Sequence, residues 1–232
     1  MANTENNAAQ QDQLEIVESK FGQTEQYIEE NRNKIFTVIA IIAAIILGYM
    51  AYQKYVKTPK ENKAAAQMFQ AENYFELDSF NLALNGDGNY PGFLKIMSDY
   101  SGTKAGNNAK YYAGVCYFRT QEYDKAIECL NGFSTDDKTL GPIATGLTGD
   151  CWMEKGDLAK AQKCYNDAAK SAEGNVFVAP IFLNKLGKLF EKQNNYQEAL
   201  NIYNKIKAEY PSSNEGRTIE RDIELMNIKL GK

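Results

Sequence analysis

Three glycines, Gly114, Gly149 and Gly187, stand 35 and 38 residues apart, and three alanines, Ala126, Ala161 and Ala199, repeat the same two intervals. An aromatic residue follows each glycine by three positions: Tyr117, Trp152 and Phe190. A large residue follows each alanine by four: Leu130, Tyr165 and Tyr203. The additional three residues of the second interval fit a longer turn near Glu173-Gly174-Asn175, and Pro211 closes the last unit. A period of this length with helical spacing in each half predicts two helices per unit. The small residues let the two helices cross closely, and the aromatic fills the space beside the crossing. One such pair cannot bury its apolar face alone, so successive pairs must stack into a shared core. The expected fold is an all-α solenoid of helix-turn-helix units.

These residues, taken together over 107–211, resemble the tetratricopeptide repeat (TPR) family. Small and large positions recur jointly in three units, which gives the resemblance its weight. Lys110 and Thr145 depart from it, standing where the family often has a large apolar residue. The resemblance implies a concave binding face made mainly by first helices. Carried over position by position, that face comprises Asn108, Tyr111, Val115, Phe118 and Arg119, then Ile143, Gly146, Asp150, Met153 and Glu154, then Ile181, Asn184, Lys188, Glu191 and Lys192. Tyr111, Phe118 and Met153 are the expected apolar anchors, since aromatic residues are frequent interface hot spots. With Tyr111 and Val115 leading, the face lacks the Lys-and-Asn clamp of family members that hold acidic chain ends.

Residues 64–106 read as a degenerate first unit, carried by Ala71, Tyr74, Phe75, Phe80, Ala83 and Leu84. A calcium loop at residues 85–96 is excluded, because the sixth and twelfth positions that need Gly and Glu hold Tyr90 and Ile96. Residues 212–232 read as a capping helix, with Ile219, Ile223, Met226 and Leu230 on one face.

Upstream, residues 35–53 contain no charged side chain. As a helix they extend about 28 Å, close to the ~30 Å hydrocarbon core of a bilayer. They are apolar on every face, which an amphipathic surface helix is not. Arg32, Lys34, Lys54 and Lys57 bracket the run, and Tyr49, Tyr52 and Tyr55 stand where an aromatic belt belongs. A buried core helix is the alternative, disfavoured by the length and the charged brackets. A cleaved signal peptide is disfavoured too, since its apolar stretch is shorter and its leader basic. The reading is an uncleaved transmembrane helix followed by a Lys-rich neck, residues 54–63. The N-terminal tail, residues 1–34, carries seven acids and three bases, so the chain's net charge of −4 belongs to it. Leu14, Val17, Phe21 and Ile28 recur there at helical spacing and suggest a short amphipathic helix. Lys and Arg flank the run almost equally, with a slight bias toward a cytoplasmic C-terminal side.

The chain has no histidine, which removes the commonest general base, the Ser-His and Cys-His pairs and most zinc and haem sites. Cys116, Cys129, Cys151 and Cys164 occupy equivalent positions in two successive units, where small apolar packing accounts for them. Disulfides are permitted if they face an oxidising compartment. No phosphate-cradling glycine loop or nucleophile elbow is present, and no basic excess favours nucleic acid. The expectation is a protein without catalysis, cofactor or metal.

An acidic tail, one span, a Lys-rich neck and a short solenoid together resemble the bacterial YfgM-like family. That resemblance implies a periplasmic TPR domain, a cytoplasmic N-terminus at the inner membrane, and association with the Sec translocon and a membrane-anchored periplasmic chaperone. The function expected is a membrane-tethered adaptor at sites of protein export. The alternatives are an envelope-assembly or division scaffold, and a regulatory module facing the cytoplasm.

Overall fold

The computed structural model describes Glu29 and residues 31–232. The expected amphipathic helix of the tail lies outside the described residues, except for its flank. The described residues fall into two compact units that divide between Pro59 and Lys60.

The first unit contains α1 (residues 31–52) and a π-helical turn, Gln53–Lys57; α2, Thr58–Glu76, belongs to the second unit from Lys60 onward. Pro59 explains the π turn. It offers no backbone N–H inside a helix and its ring crowds the carbonyl one turn back, so the preceding turn widens. The Thr58 N–H bonds to the Gln53 carbonyl, and the Thr58 Oγ1 donates to the same oxygen at 2.9 Å. Every large apolar side chain from Phe36 to Val56 that lines this helix is at least half exposed, Ile45 and Leu47 at 66%. The helix is a candidate membrane span, with none of its apolar window buried.

The second unit is helical throughout its regular structure. It continues through α3 (Phe80–Asn85), α4 (Phe93–Asp99), α5 (Lys104–Arg119), α6 (Tyr123–Gly132), α7 (Leu140–Glu154) and α8 (Leu158–Ser171). α9 (Ala179–Lys192), α10 (Tyr196–Glu209), α11 (Asn214–Thr218) and α12 (Glu220–Lys229) complete it. Three helix pairs, α5–α6, α7–α8 and α9–α10, share one turn. The backbone goes left-handed at Gln121, Gly156 and Asn194 (φ 63°, 78° and 58°). One residue later, the N–H groups of Glu122, Asp157 and Asn195 reach back to the carbonyls of Tyr117, Trp152 and Phe190 at 2.8–2.9 Å. This six-to-one bond closes a helix end and reverses the chain. The α2–α3 turn repeats it, with Asp78 at φ 54° and Ser79 N–H bonded to the Tyr74 carbonyl at 2.9 Å. Asp157 and Asn195 then cap the N-termini of α8 and α10 with their side chains.

Within each pair the glycine of the first helix meets a large residue of the second. A Cβ at Gly114 would stand 2.6 Å from Leu130 Cγ, at Gly149 2.7 Å from Tyr165 Cε1, and at Gly187 2.3 Å from Tyr203 Cε1. Ala126, Ala161 and Ala199 are fully buried. The core falls into two clusters, and Trp152 packs against both.

Junctions between units also repeat, in a way the glycine and alanine periods do not announce. Tyr100 ends one helix and Thr103 caps the next; Tyr210 and Ser213 do the same 110 residues later. Each hydroxyl bonds to the tyrosine carbonyl (2.7 and 2.8 Å) and accepts the N–H of Gly106 or Gly216 at 2.9 Å. A side chain at either glycine would strike that same carbonyl. The signal is Tyr-x-x-Ser/Thr-x-x-Gly. The expected capping helix is in two pieces, because the Thr218 hydroxyl bonds back to the carbonyls of Asn214 and Glu215 and the chain turns at Ile219. Ile219, Ile223 and Met226 are buried against the second cluster.

Residues 60–232 produced without the apolar segment should be soluble and helical. In that fragment Gly187→Ala should lower unfolding free energy by about 1–3 kcal/mol through overpacking against Tyr203. Gly132→Ala, whose nearest neighbour is Lys110 Cδ at 3.5 Å, should be neutral or slightly stabilising. Denaturant titration of the two variants checks the contrast, and equal effects would remove Gly187 from a close crossing.

Candidate partner-binding face

The side chains carried over from the sequence divide into three groups. Tyr111, Val115, Phe118, Ile143 and Met153 are half-buried. Tyr111 lies 5.5 Å, centroid to centroid, from Phe133 and 5.8 Å from Tyr112, while Phe118 lies 5.9 Å from Tyr123. Tyr111 and Phe118 pack on the first core cluster, Met153 on the second. These apolar anchors are therefore supported from below and show one side to solvent.

A second group is committed to holding the solenoid together. Asp150 accepts the Tyr165 hydroxyl at 2.7 Å, and its two oxygens take the Lys185 ammonium at 2.6 and 2.7 Å. One carboxylate thus ties α7 to its own second helix and to the first helix of the following unit. Glu191 accepts the hydroxyl of Tyr203, the equivalent tyrosine of the last unit. Burial, with the neighbouring carboxylate second, raises the ionisation of both phenols, so each stays a donor at ordinary pH. Gly146 is also internal, since the Phe182 ring occupies the space a side chain would need.

The third group is exposed: Asn108, Arg119, Glu154, Ile181, Lys188 and Lys192. Arg119, Glu154 and Lys188 have no ion-pair partner among the described residues. Asn184 is half-buried, and its Oδ1 is shielded from solvent without a hydrogen-bond partner among the described residues.

The two residues the family usually makes large fill other roles. Lys110 donates its ammonium to the Gly132 carbonyl at 2.9 Å, closing the end of α6, and Thr145 bonds within its own helix. A cleft of about 810 Å³ lies where α6, ten residues long, stops short of fourteen-residue α8. Residues 133–138 line it together with Thr148, Trp152, Lys163 and Cys164. The repeat pattern gave no sign of this cleft, which depends on a helix ending a turn early.

Burial pushes the thiols of Cys116 and Cys151 up to about 12 and that of Cys129 to about 11, so thiolate is scarce at neutral pH. All four cysteines are free. Among the described residues no cluster of three metal-ligating side chains occurs.

Tetratricopeptide-repeat family models match residues 108–136 and 141–214. Those residues form TPR-like helical repeats. The chain resembles the crystal structure of MamA protein at a TM-score of 0.56 and 17% identity, over 72% of this chain and 82% of that one. It also resembles a Podosopora anserina putative kinesin light chain with nearly identical TPR-like repeats, at a TM-score of 0.55 and 9% identity, over 74% and 88%. A second structure of that protein, carrying one substitution, gives the same score at 10% identity. At these identities the likeness is one of fold. No curated protein matches the chain. TPR units serve as protein–protein interaction modules and are in general non-catalytic scaffolds.

Tyr165→Phe should cost about 1.5 kcal/mol, the net worth of a hydrogen bond to a charged group. The phenol's ionisation is raised in the folded state. Its contribution is therefore complete below the unfolded value of ~10 and is lost as pH rises above it. Unfolding midpoints from pH 7 to 11 should fall more steeply for the parent than for the variant.

Proposed function

We propose that this chain is a non-catalytic, membrane-tethered adaptor whose TPR units hold a partner protein on the first-helix face. The observation that carries the reading is a contrast within one chain. Residues 60–232 bury their own core, whereas the apolar side chains of residues 36–56 stay exposed. An apolar helix of that length with no protein covering it has a bilayer as its natural surroundings. The partner face would use Tyr111, Val115, Phe118 and Met153 as anchors and Arg119, Glu154 and Lys188 as charges that select among partners. Asp150 and Glu191 would act from beneath, fixing helix positions.

The YfgM-like layout supports placing the TPR units in the periplasm at a bacterial inner membrane, as an accessory to the Sec translocon and to a membrane-anchored chaperone. Lys54, Lys57, Lys60 and Lys63 favour the opposite topology, with the TPR units in the cytoplasm, because positive flanks tend to stay inside. Glu173→Cys with Cys164→Ser places a single accessible thiol in an exposed turn, since Cys116, Cys129 and Cys151 are buried and Cys164 is only partly so. A membrane-impermeant maleimide should label that variant on intact cells if the units are periplasmic. Labelling only after the inner membrane is opened would place them in the cytoplasm.

Phe118→Ala should weaken a captured partner by about 2 kcal/mol, roughly thirtyfold. Crosslinking with mass spectrometry identifies the partner, and a titration of the purified pair measures the change. A loss of stability in proportion to binding would make Phe118 core instead, and normal binding would place the interface elsewhere. Arg119→Glu with Lys188→Glu should reduce binding without moving the melting point.

A further inference from the structure

The end of the apolar helix carries a surface that the adaptor role leaves unused. Tyr49, Tyr52 and Tyr55 are 61%, 55% and 72% exposed. Lys54 and Lys57 stand among them, also exposed. The Lys54 ammonium lies 5.6 Å from the Tyr55 ring centroid. Neither lysine has an ion-pair partner among the described residues. Glu61, four residues after Lys57, has the spacing at which opposite charges commonly pair along a helix. Its two oxygens instead accept the backbone N–H groups of Lys104 and Ala105, at 2.8 and 3.0 Å, at the start of α5. Glu61 is therefore committed to α5, and among the described residues no carboxylate pairs with either lysine.

Tyr49, Lys54 and Tyr55 line a shallow groove of about 510 Å³ together with Met50, Ala51, Gln53 and Thr58, while Tyr52 and Lys57 stand exposed beside it in sequence. Its wall is apolar toward α1 and basic toward Lys54. That sequence of chemistries, hydrocarbon, then phenol, then ammonium, is the one met on leaving a bilayer through its headgroups.

We propose that Lys54 and Lys57, together with Tyr49, Tyr52 and Tyr55, form a surface for the phosphate headgroups of anionic bilayer lipids. The proposal rests on residues 35–53 spanning a membrane. A zwitterionic headgroup carries no net charge, so the attraction selects anionic lipid. Each lysine near such a surface is worth about fivefold in binding.

The test uses the full-length chain in detergent, titrated with phosphatidylglycerol or phosphatidylcholine, with bound lipid counted by native mass spectrometry. Phosphatidylglycerol should bind in preference. Lys54→Gln with Lys57→Gln should weaken it on the order of twenty-five-fold, the product of two such steps, and leave phosphatidylcholine unchanged. Lys54→Arg with Lys57→Arg should keep the preference. Equal binding of the two lipids, or an unchanged glutamine variant, overturns the proposal. Displacement of the lipid by inorganic phosphate also overturns it, by making the lysines a general anion site. Carbonate extraction of membranes separates this from the underlying reading. Retention in the pellet with no lipid preference leaves the span standing while the headgroup surface falls. Release of the parent chain to the supernatant removes both.

Discussion

The close crossing of two helices at a glycine sets the geometry on which the second unit depends. Gly114, Gly149 and Gly187 each leave a space that Leu130, Tyr165 or Tyr203 fills from the partner helix. Burying a side chain of that size contributes about 1.5–3 kcal/mol. The glycine itself costs helix stability of about 1 kcal/mol relative to Ala, which the contact offsets. Because the same exchange occurs in three pairs, each presents the same face to its neighbour, and stacking follows. Trp152 is the hinge of that stacking: it touches both core clusters, and the Lys160 ammonium sits 4.0 Å from its ring centroid.

Two of the crossings carry a polar addition. A tyrosine at the crossing cannot bury its hydroxyl without an acceptor, since an unpaired buried polar group costs about 1–3 kcal/mol. Asp150 and Glu191 supply the acceptors, and where the crossing residue is Leu130 none is needed. The same carboxylates lie on the face that the family uses for partners. Under the proposed function, specificity there falls to the exposed charges and to the apolar anchors above the core. The pair of α7 is further braced by Lys185, so the middle of the array is tied across three helices.

The apolar helix obeys a different rule. Its side chains have no protein to pack against among the described residues, and its one irregularity, the π turn at Gln53–Lys57, follows from Pro59. Glu61 illustrates how local charge is spent at a distance: the residue that spacing would pair with Lys57 instead satisfies the first N–H groups of α5, forty-three residues away for Lys104.

Much of this was determined by sequence alone. The intervals of 35 and 38 residues locate three helix pairs, and the uncharged run of residues 35–53 locates the candidate span, because both are properties of spacing and composition that need no partner to read. The turns at Gln121 and Asn194 were not legible, since neither residue is a glycine and their left-handed backbone is imposed by the helix end they close. Tertiary structure alone decided which face residues are free. Gly146, Asp150 and Glu191 belong to the same set of first-helix face positions as Val115 and Lys188, yet Phe182, Tyr165 and Tyr203 reach them from neighbouring helices. A position within a repeat specifies the direction of a side chain; what meets it there depends on residues fifteen or thirty-five positions away, which only the packed solenoid brings into contact.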